Sequence, residues 1–144
     1  MNLLPASSTG REGEVARIVF CEDQGVVREV IWAAMNSTQH LVKVAPDGQE
    51  GLELIVSLRP DLIVTDVVMP RMGGFKLAAA VRKAASLRHI PIVFMTASLD
   101  RDEIAQLATQ GGVAHIAKPF SPIELRETIA ALLTRTRAHV GAAS

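Results

Sequence analysis

Three carboxylates, a hydroxyl and an ammonium carry the chemical interest of this sequence: Glu22, Asp23, Asp66, Thr96 and Lys118. Each position directly follows a short β-branched or aliphatic run. Glu22-Asp23 come after Arg17-Ile-Val-Phe-Cys21, Asp66 after Asp61-Leu-Ile-Val-Thr65, Thr96 after Ile90-Pro-Ile-Val-Phe-Met95, and Lys118 after Val113-Ala-His-Ile-Ala117. Taken singly, each has an ordinary explanation. An acid after a strand is commonly a turn former or helix cap, a Thr-Ala pair is a turn, and a lysine among apolar neighbours snorkels to water. Asp66 resists that explanation, because another apolar trio, Val67-Val-Met69, follows it. So does Lys118, one of only four lysines, which stands between Ile116-Ala117 and Pro119-Phe120. The recurrence of the pattern after four separate runs is what marks the set.

Gathered together, these groups demand a cation. Two carboxylates about 4 Å apart repel by about 4 kcal/mol at an effective dielectric near 20, so three cannot cluster ionised without compensation. Hard oxygen donors with a partly hydrated coordination sphere suit Mg²⁺, with Mn²⁺ as a possible substitute. The histidines at 40, 89, 115 and 139 are scattered and Cys21 is alone, so no spacing suits zinc. A carboxylate beside Mg²⁺, facing a lysine and a hydroxyl, is equipped to attack phosphorus. The metal neutralises charge on the transferring group, Lys118 pairs with one phosphoryl oxygen, and Thr96 donates to another. The expected product is an aspartyl phosphate on Asp66.

Such a site needs a fold that brings the ends of distant strands to one rim. The four runs above and Leu41-Val-Lys-Val44 predict five strands. Segments with helical spacing alternate with them: Val26, Val27, Val30, Ile31 and Ala34; Leu52, Ile55 and Val56; Leu77, Ala80 and Val81; Ile104, Leu107 and Ala108; Ile123, Ile129, Leu132 and Leu133. Asp47 with Glu50, Asp100 with Glu103 and Ser121-Pro-Ile-Glu124 mark helix starts. Strict βα alternation with nearly continuous apolar strands predicts an α/β fold, a doubly wound parallel sheet with helices on both faces. In such sheets the site lies beyond the carboxyl ends of the strands, where strand order reverses. The second strand ends blandly at Ala45-Pro46, as an edge strand does.

The bulk properties narrow the function classes. The chain of 144 residues fits one domain, and 15 basic against 15 acidic side chains leave no field directed at nucleic acid or an anionic membrane. Hydrophobic content of 49% with 3% aromatic predicts an aliphatic core. A lone cysteine in an apolar run suits a reducing, cytoplasmic setting. Residues 1–14 read as a disordered lead-in without the features of a signal peptide, residues 15–137 as the folded domain, and residues 138–144 as a flexible tail. No apolar run approaches the roughly 18 residues of a membrane span.

The residues now in view resemble the receiver domain of bacterial response regulators, the CheY-like family, over most of Val15 to Arg137. The resemblance rests on Ile18-Val-Phe-Cys-Glu-Asp23 with Arg28, on Pro60-Asp-Leu-Ile-Val-Thr-Asp-Val-Val-Met-Pro70 with Met72-Gly-Gly74, on Pro91-Ile-Val-Phe-Met-Thr-Ala97, and on Gly111 with His115-Ile-Ala-Lys-Pro-Phe120. It implies a five-stranded sheet in the order 2-1-3-4-5 and phosphorylation of Asp66 by a phosphohistidine on a sensor histidine kinase or phosphotransfer protein. Asp23, Asp66 and the Val68 backbone carbonyl would serve the metal, as would Glu22, directly or through water. Thr96, Ala97 and Lys118 would contact phosphate, and Lys118-Pro119 would be a cis peptide. The output would be a changed binding surface on the fourth helix, fifth strand and fifth helix, read by a downstream protein that the sequence does not name.

Three departures from the family pattern bear on function. Glu22 stands where Asp is commoner. Val68 and Ser98 occupy positions where longer polar groups in some members guide water onto the phosphoryl group, which implies slow self-dephosphorylation here. His115 occupies a position that often holds an inward-turning Tyr or Phe; it is either a switching residue or a half-exposed strand histidine. Two other classes fit the residues less well. An aspartate-nucleophile phosphatase usually needs a second acid where Val68 stands and a cap for which there is no room. A flavin or nucleotide binder lacks GxGxxG or GxxxxGK[ST], and Glu22-Asp23 would repel a bare phosphate. The chain also reads as a possible fragment of a larger regulator or hybrid kinase.

Overall fold

Five short parallel strands alternate with five helices in the computed structural model, which describes residues 15–97 and 100–143. They are β1 (Arg17–Cys21), α1 (Gly25–Met35), β2 (Leu41–Ala45), α2 (Gly48–Leu58), β3 (Leu62–Asp66), α3 (Gly74–Lys83), β4 (Ile92–Thr96), α4 (Arg101–Thr109), β5 (Gly112–Ala117) and α5 (Pro122–Ala143). The sheet order is β2-β1-β3-β4-β5, which matches the doubly wound expectation and puts β2 at an edge. Because the first crossover runs outward to β2 and the next returns past β1 to β3, the loops after β1 and β3 diverge to opposite faces and leave a crevice between them.

Alternation along each strand sorts the core into two layers. Ile18, Phe20, Leu62, Val64, Val93 and Met95 pack with Ile31, Leu125, Ile129 and Leu133 under α1 and α5. Val19, Cys21, Ile63, Ile92 and Phe94 pack with Ile55, Leu77, Val81 and Leu107 under α2, α3 and α4. The three central strands β1, β3 and β4 are thus apolar on both faces, whereas the edge strands β2 and β5 turn Lys43 and His115 to the surface. Each fully buried aliphatic side chain contributes about 1.5–3 kcal/mol of transfer free energy. Phe75 of α3 stands edge-on to Phe94 at 5.3 Å between ring centroids, which fixes the start of α3 against β4.

Helix starts follow the sequence signals. Asp47 accepts from the Glu50 amide at 2.9 Å, and Asp100 accepts from the Asp102 and Glu103 amides. The box at α5 is reciprocal: the Glu124 amide donates to Ser121 Oγ at 3.1 Å, and the Ser121 amide donates to Glu124 Oε1 at 2.9 Å. Two sequence expectations need correction. Val26, Val56 and Ile123 fit helical apolar spacing yet are exposed, because each helix lies against one face of the sheet and buries a narrower stripe than the sequence offers. The last helix was expected to end near Arg137, followed by a tail over 138–144. It continues to Ala143 instead, since no proline interrupts this alanine-containing stretch and the i→i−4 ladder can run on. The lead-in over 1–14 and the position of Ser98 lie outside the described residues.

The box at α5 predicts a measurable loss. Ser121→Ala is expected to lower the unfolding free energy by about 1 kcal/mol, the usual worth of such a cap, in urea denaturation followed by circular dichroism.

Candidate functional site

Asp66 closes β3, and the strand register carries it to the rim. It pairs with Met95, so the next residue of β4, Thr96, stands beside it one step further out. Thr96 pairs in turn with Ala117, and the ladder extends by one bond, from the Lys118 amide to the Thr96 carbonyl at 2.8 Å. The Lys118-Pro119 peptide is cis. On the other side, β1 delivers Glu22 and Asp23, with the Glu22 amide donating to the Ala45 carbonyl at 2.9 Å. Arg28 holds this loop from within α1, donating through one nitrogen to the carbonyls of Glu22 at 3.0 Å and Asp23 at 2.8 Å.

The side chains converge on a cavity of about 520 Å³ whose lining includes Asp23, Asp66, Val68, Thr96, Ala97 and Lys118. Asp66 Oδ1 accepts from the Val67 amide at 2.9 Å, and Oδ2 accepts from Lys118 Nζ at 3.0 Å. The ammonium also lies 2.8 Å from Glu22 Oε1. Glu22 is fully buried; its Oε2 accepts from the Gln24 amide at 3.2 Å. Its Oε1 has no hydrogen bond of good geometry, although the ammonium is near. One carboxylate oxygen from each of Glu22, Asp23 and Asp66 lies within 4.8 Å of the others. Three carboxylates against one ammonium leave two negative charges in excess. An all-oxygen cluster with a buried, unsatisfied carboxylate atom therefore fits a hard divalent cation.

The protonation equilibria show the same imbalance. Burial pushes Glu22 above the ordinary carboxylate range, contact with Lys118 opposes this, and the nearby Asp66 charge adds to it. Burial acts to lower Lys118, but its pairs with Glu22 and Asp66 outweigh that and raise it, so the lysine stays charged.

The segment after Asp66 is clamped from two sides. The Gly74 amide donates to the Val67 carbonyl at 2.8 Å, and a Cβ at Gly74 would fall 2.2 Å from the Asp66 carbonyl oxygen. From α2, the buried carboxylate of Asp47 accepts from Arg71 Nε at 2.8 Å and from a second nitrogen of the same guanidinium. Arg71 holds a left-handed backbone conformation, φ 66°, which a residue with a side chain adopts only when its surroundings fix it. The Gly48 amide donates to the Met72 carbonyl at 2.9 Å beside this pair. The sequence marks Asp47 only as a cap and gives no sign of its partner Arg71, since nothing in Pro-Arg-Met-Gly-Gly signals a left-handed arginine. Arg28 was visible as a residue but not as the tie across two carbonyls. His115 stands exposed on β5, outside the cavity lining.

The model of the response regulator receiver domain matches residues 18–130 of this chain. The chain belongs to that family. As a receiver domain of two-component systems it is a signalling module, and its relatives fall in both expected groups. It is 36% identical over 124 residues to the transcriptional regulatory protein RprY of Bacteroides fragilis, covering 86% of this chain and 52% of that one. It is 35% identical over 139 residues to the sensor histidine kinase TmoS of Ectopseudomonas mendocina, covering 92% of this chain and 14% of that protein. The receiver chain thus spans about half or less of these relatives. Among solved structures, the chemotaxis response regulator CheY4 of Vibrio cholerae superposes with a TM-score of 0.77 at 27% identity, covering 83% of this chain and 99% of that one.

Two substitutions probe the charges of the receiver. Glu22→Gln removes a carboxylate whose ionised form the fold disfavours. It is expected to stabilise the metal-free domain at neutral pH, and the gain should vanish as pH falls below about 4, where Glu22 is protonated folded or unfolded. Asp47 behaves oppositely. Its capping bond to the Glu50 amide and its pair with Arg71 outweigh burial and hold it below the carboxylate range. Its contribution is complete above that range and is lost as pH falls through the depressed value. The stability deficit of Asp47→Asn should therefore be full at pH 7 and fade below about pH 4; an undiminished deficit in acid urea melts would contradict the assignment.

Proposed function

We propose that Asp66 accepts a phosphoryl group from a phosphohistidine on a sensor kinase or phosphotransfer protein. The observation that carries this reading is the placement of Asp66 itself: largely buried but lining the cavity, held by Lys118 and the Val67 amide, and grouped with Glu22 and Asp23. A carboxylate oxygen of Asp66 forms the new bond to phosphorus while the bond to the donor's imidazole nitrogen breaks, and that nitrogen keeps the electron pair. Asp23, Asp66, the Val68 carbonyl and Glu22, directly or through water, would hold a divalent ion, Mg²⁺ or Mn²⁺, which would supply compensation for the charge on the transferring group. Lys118 pairs with a phosphoryl oxygen in place of its present contact with Asp66, and Thr96 and the Ala97 backbone meet the others.

The chain promotes its own phosphorylation and slow dephosphorylation and turns over no separate substrate. Val68 is 78% exposed and lines the cavity with an aliphatic side chain, which cannot align a water for attack. Relocation of Lys118 and Thr96 biases the surface of α4, β5 and α5 between two conformations, and a downstream protein reads the difference. Among the described residues no helix is long and apolar enough to cross a membrane, and we place the module in the cytoplasm, free-standing or as part of a larger regulator or hybrid kinase.

Incubation with acetyl phosphate and Mg²⁺ is expected to add one phosphoryl group by intact mass. The addition should be absent without metal and absent in Asp66→Ala, and it should persist well beyond seconds after the donor is removed. Consumption of the donor without accumulation would favour a phosphatase.

A further inference from the structure

At the opposite pole of the sheet, near the amino ends of β4 and β5, a second cavity of about 480 Å³ is lined by Arg82 of α3, Arg88 and His89 of the following turn, and Arg135 of α5, with Ile90 and Val113 among its apolar walls. No carboxylate among the described residues lines it. Among the described residues, Arg82, Arg88 and Arg135 form no ion pair with an acid. That is uneven for a chain with 15 basic and 15 acidic side chains, because like charges brought together repel unless something offsets them.

Arg82 gives the cavity a fixed charge. Its guanidinium donates to the carbonyls of Arg88 at 2.9 Å, Ile90 at 2.8 Å and Gly111 at 2.8 Å. Carbonyl dipoles orient this cation without neutralising it, and burial beside no carboxylate depresses its proton affinity. Arg88 is exposed and its guanidinium is not engaged with any acid, as is Arg135. Planar guanidinium groups match phosphate oxygens in pairs. The volume falls within the roughly 300–1,000 Å³ of small-molecule sites. An inorganic ion would leave most of that space and the Pro91 and Val113 surface uncovered, and an extended polymer would use little of a concave site.

We propose that this cavity binds a small phosphorylated metabolite of nucleotide size, its phosphates taken by Arg88 and Arg135 beside the fixed charge of Arg82, its organic part laid on Pro91 and Val113. The site is separate from the aspartate rim and does not depend on phosphoryl transfer there. It would make the receiver responsive to a second, chemically distinct signal.

Calorimetric titration of the whole chain with ADP and with GDP, in buffer containing a chelator so that the acidic rim holds no metal, tests this. Saturable one-site binding is expected for at least one of them. It should weaken by about tenfold or more in Arg88→Ala/Arg135→Ala and be unchanged in Asp66→Ala. Adenosine or guanosine, lacking phosphate, and pyrophosphate, lacking the organic part, should each bind more weakly. Both replaced side chains are at the surface, and an unchanged thermal midpoint of the double variant verifies its fold; Arg82→Ala is avoided because that residue ties three backbone segments. The proposal is overturned if neither nucleotide binds, if the double variant binds as tightly as the parent, if pyrophosphate binds as tightly as the nucleotide, or if only duplex DNA binds.

Discussion

Everything at the carboxyl ends of the strands is arranged around the repulsion between Glu22 and Asp66 and the ammonium of Lys118 that lies between them. The three groups come from β1, β3 and the end of β5, so no local segment could assemble them. The hydrophobic layers above and below the sheet supply the free energy that holds like charges together, a few kcal/mol against the sum of many buried aliphatic side chains. The resulting site is an electrostatic spring, held under load by carboxylates whose repulsion the single ammonium of Lys118 only partly offsets.

Close backbone contacts and side-chain ties to the loops keep the spring from relaxing by itself. Asp66 cannot retreat, because its carbonyl is crowded by Gly74 and its carboxylate is held by the next amide. The loop that follows cannot drift, because Arg71 is locked to the buried Asp47. Across the crevice, Arg28 gathers two carbonyls that would otherwise be free to rotate. Charged groups at a functional rim are commonly positioned by such neutral or distant partners.

Much of this was legible in the sequence because parallel strands advertise themselves as short apolar runs and the fold gathers whatever follows them. Glu22, Asp23, Asp66, Thr96 and Lys118 all follow this rule, and the strand order agrees with the family resemblance. What could not be read depends on tertiary direction. Val56 and Ile123 have apolar side chains at helical spacing, yet the helix orientation that exposes them is fixed by the sheet, not by the helix. The pairing of Asp47 with Arg71 spans two loops and requires a left-handed backbone that no residue-level preference forecasts. The end of α5 depends on competition between continued hydrogen bonding and fraying, which an alanine-containing segment leaves finely balanced.

The reciprocal cap at Ser121 lies three residues beyond Lys118, so the first turn of α5 starts from a fixed point close to the lysine. With 22 residues, α5 is about 33 Å long at 1.5 Å per residue. A rotation of about one degree at its capped end displaces the other end by about 0.6 Å over that length. The helix is thus a pointer with a short arm at the lysine and a long arm at the far side of the domain, and it magnifies displacements too small to disturb the packing around its pivot.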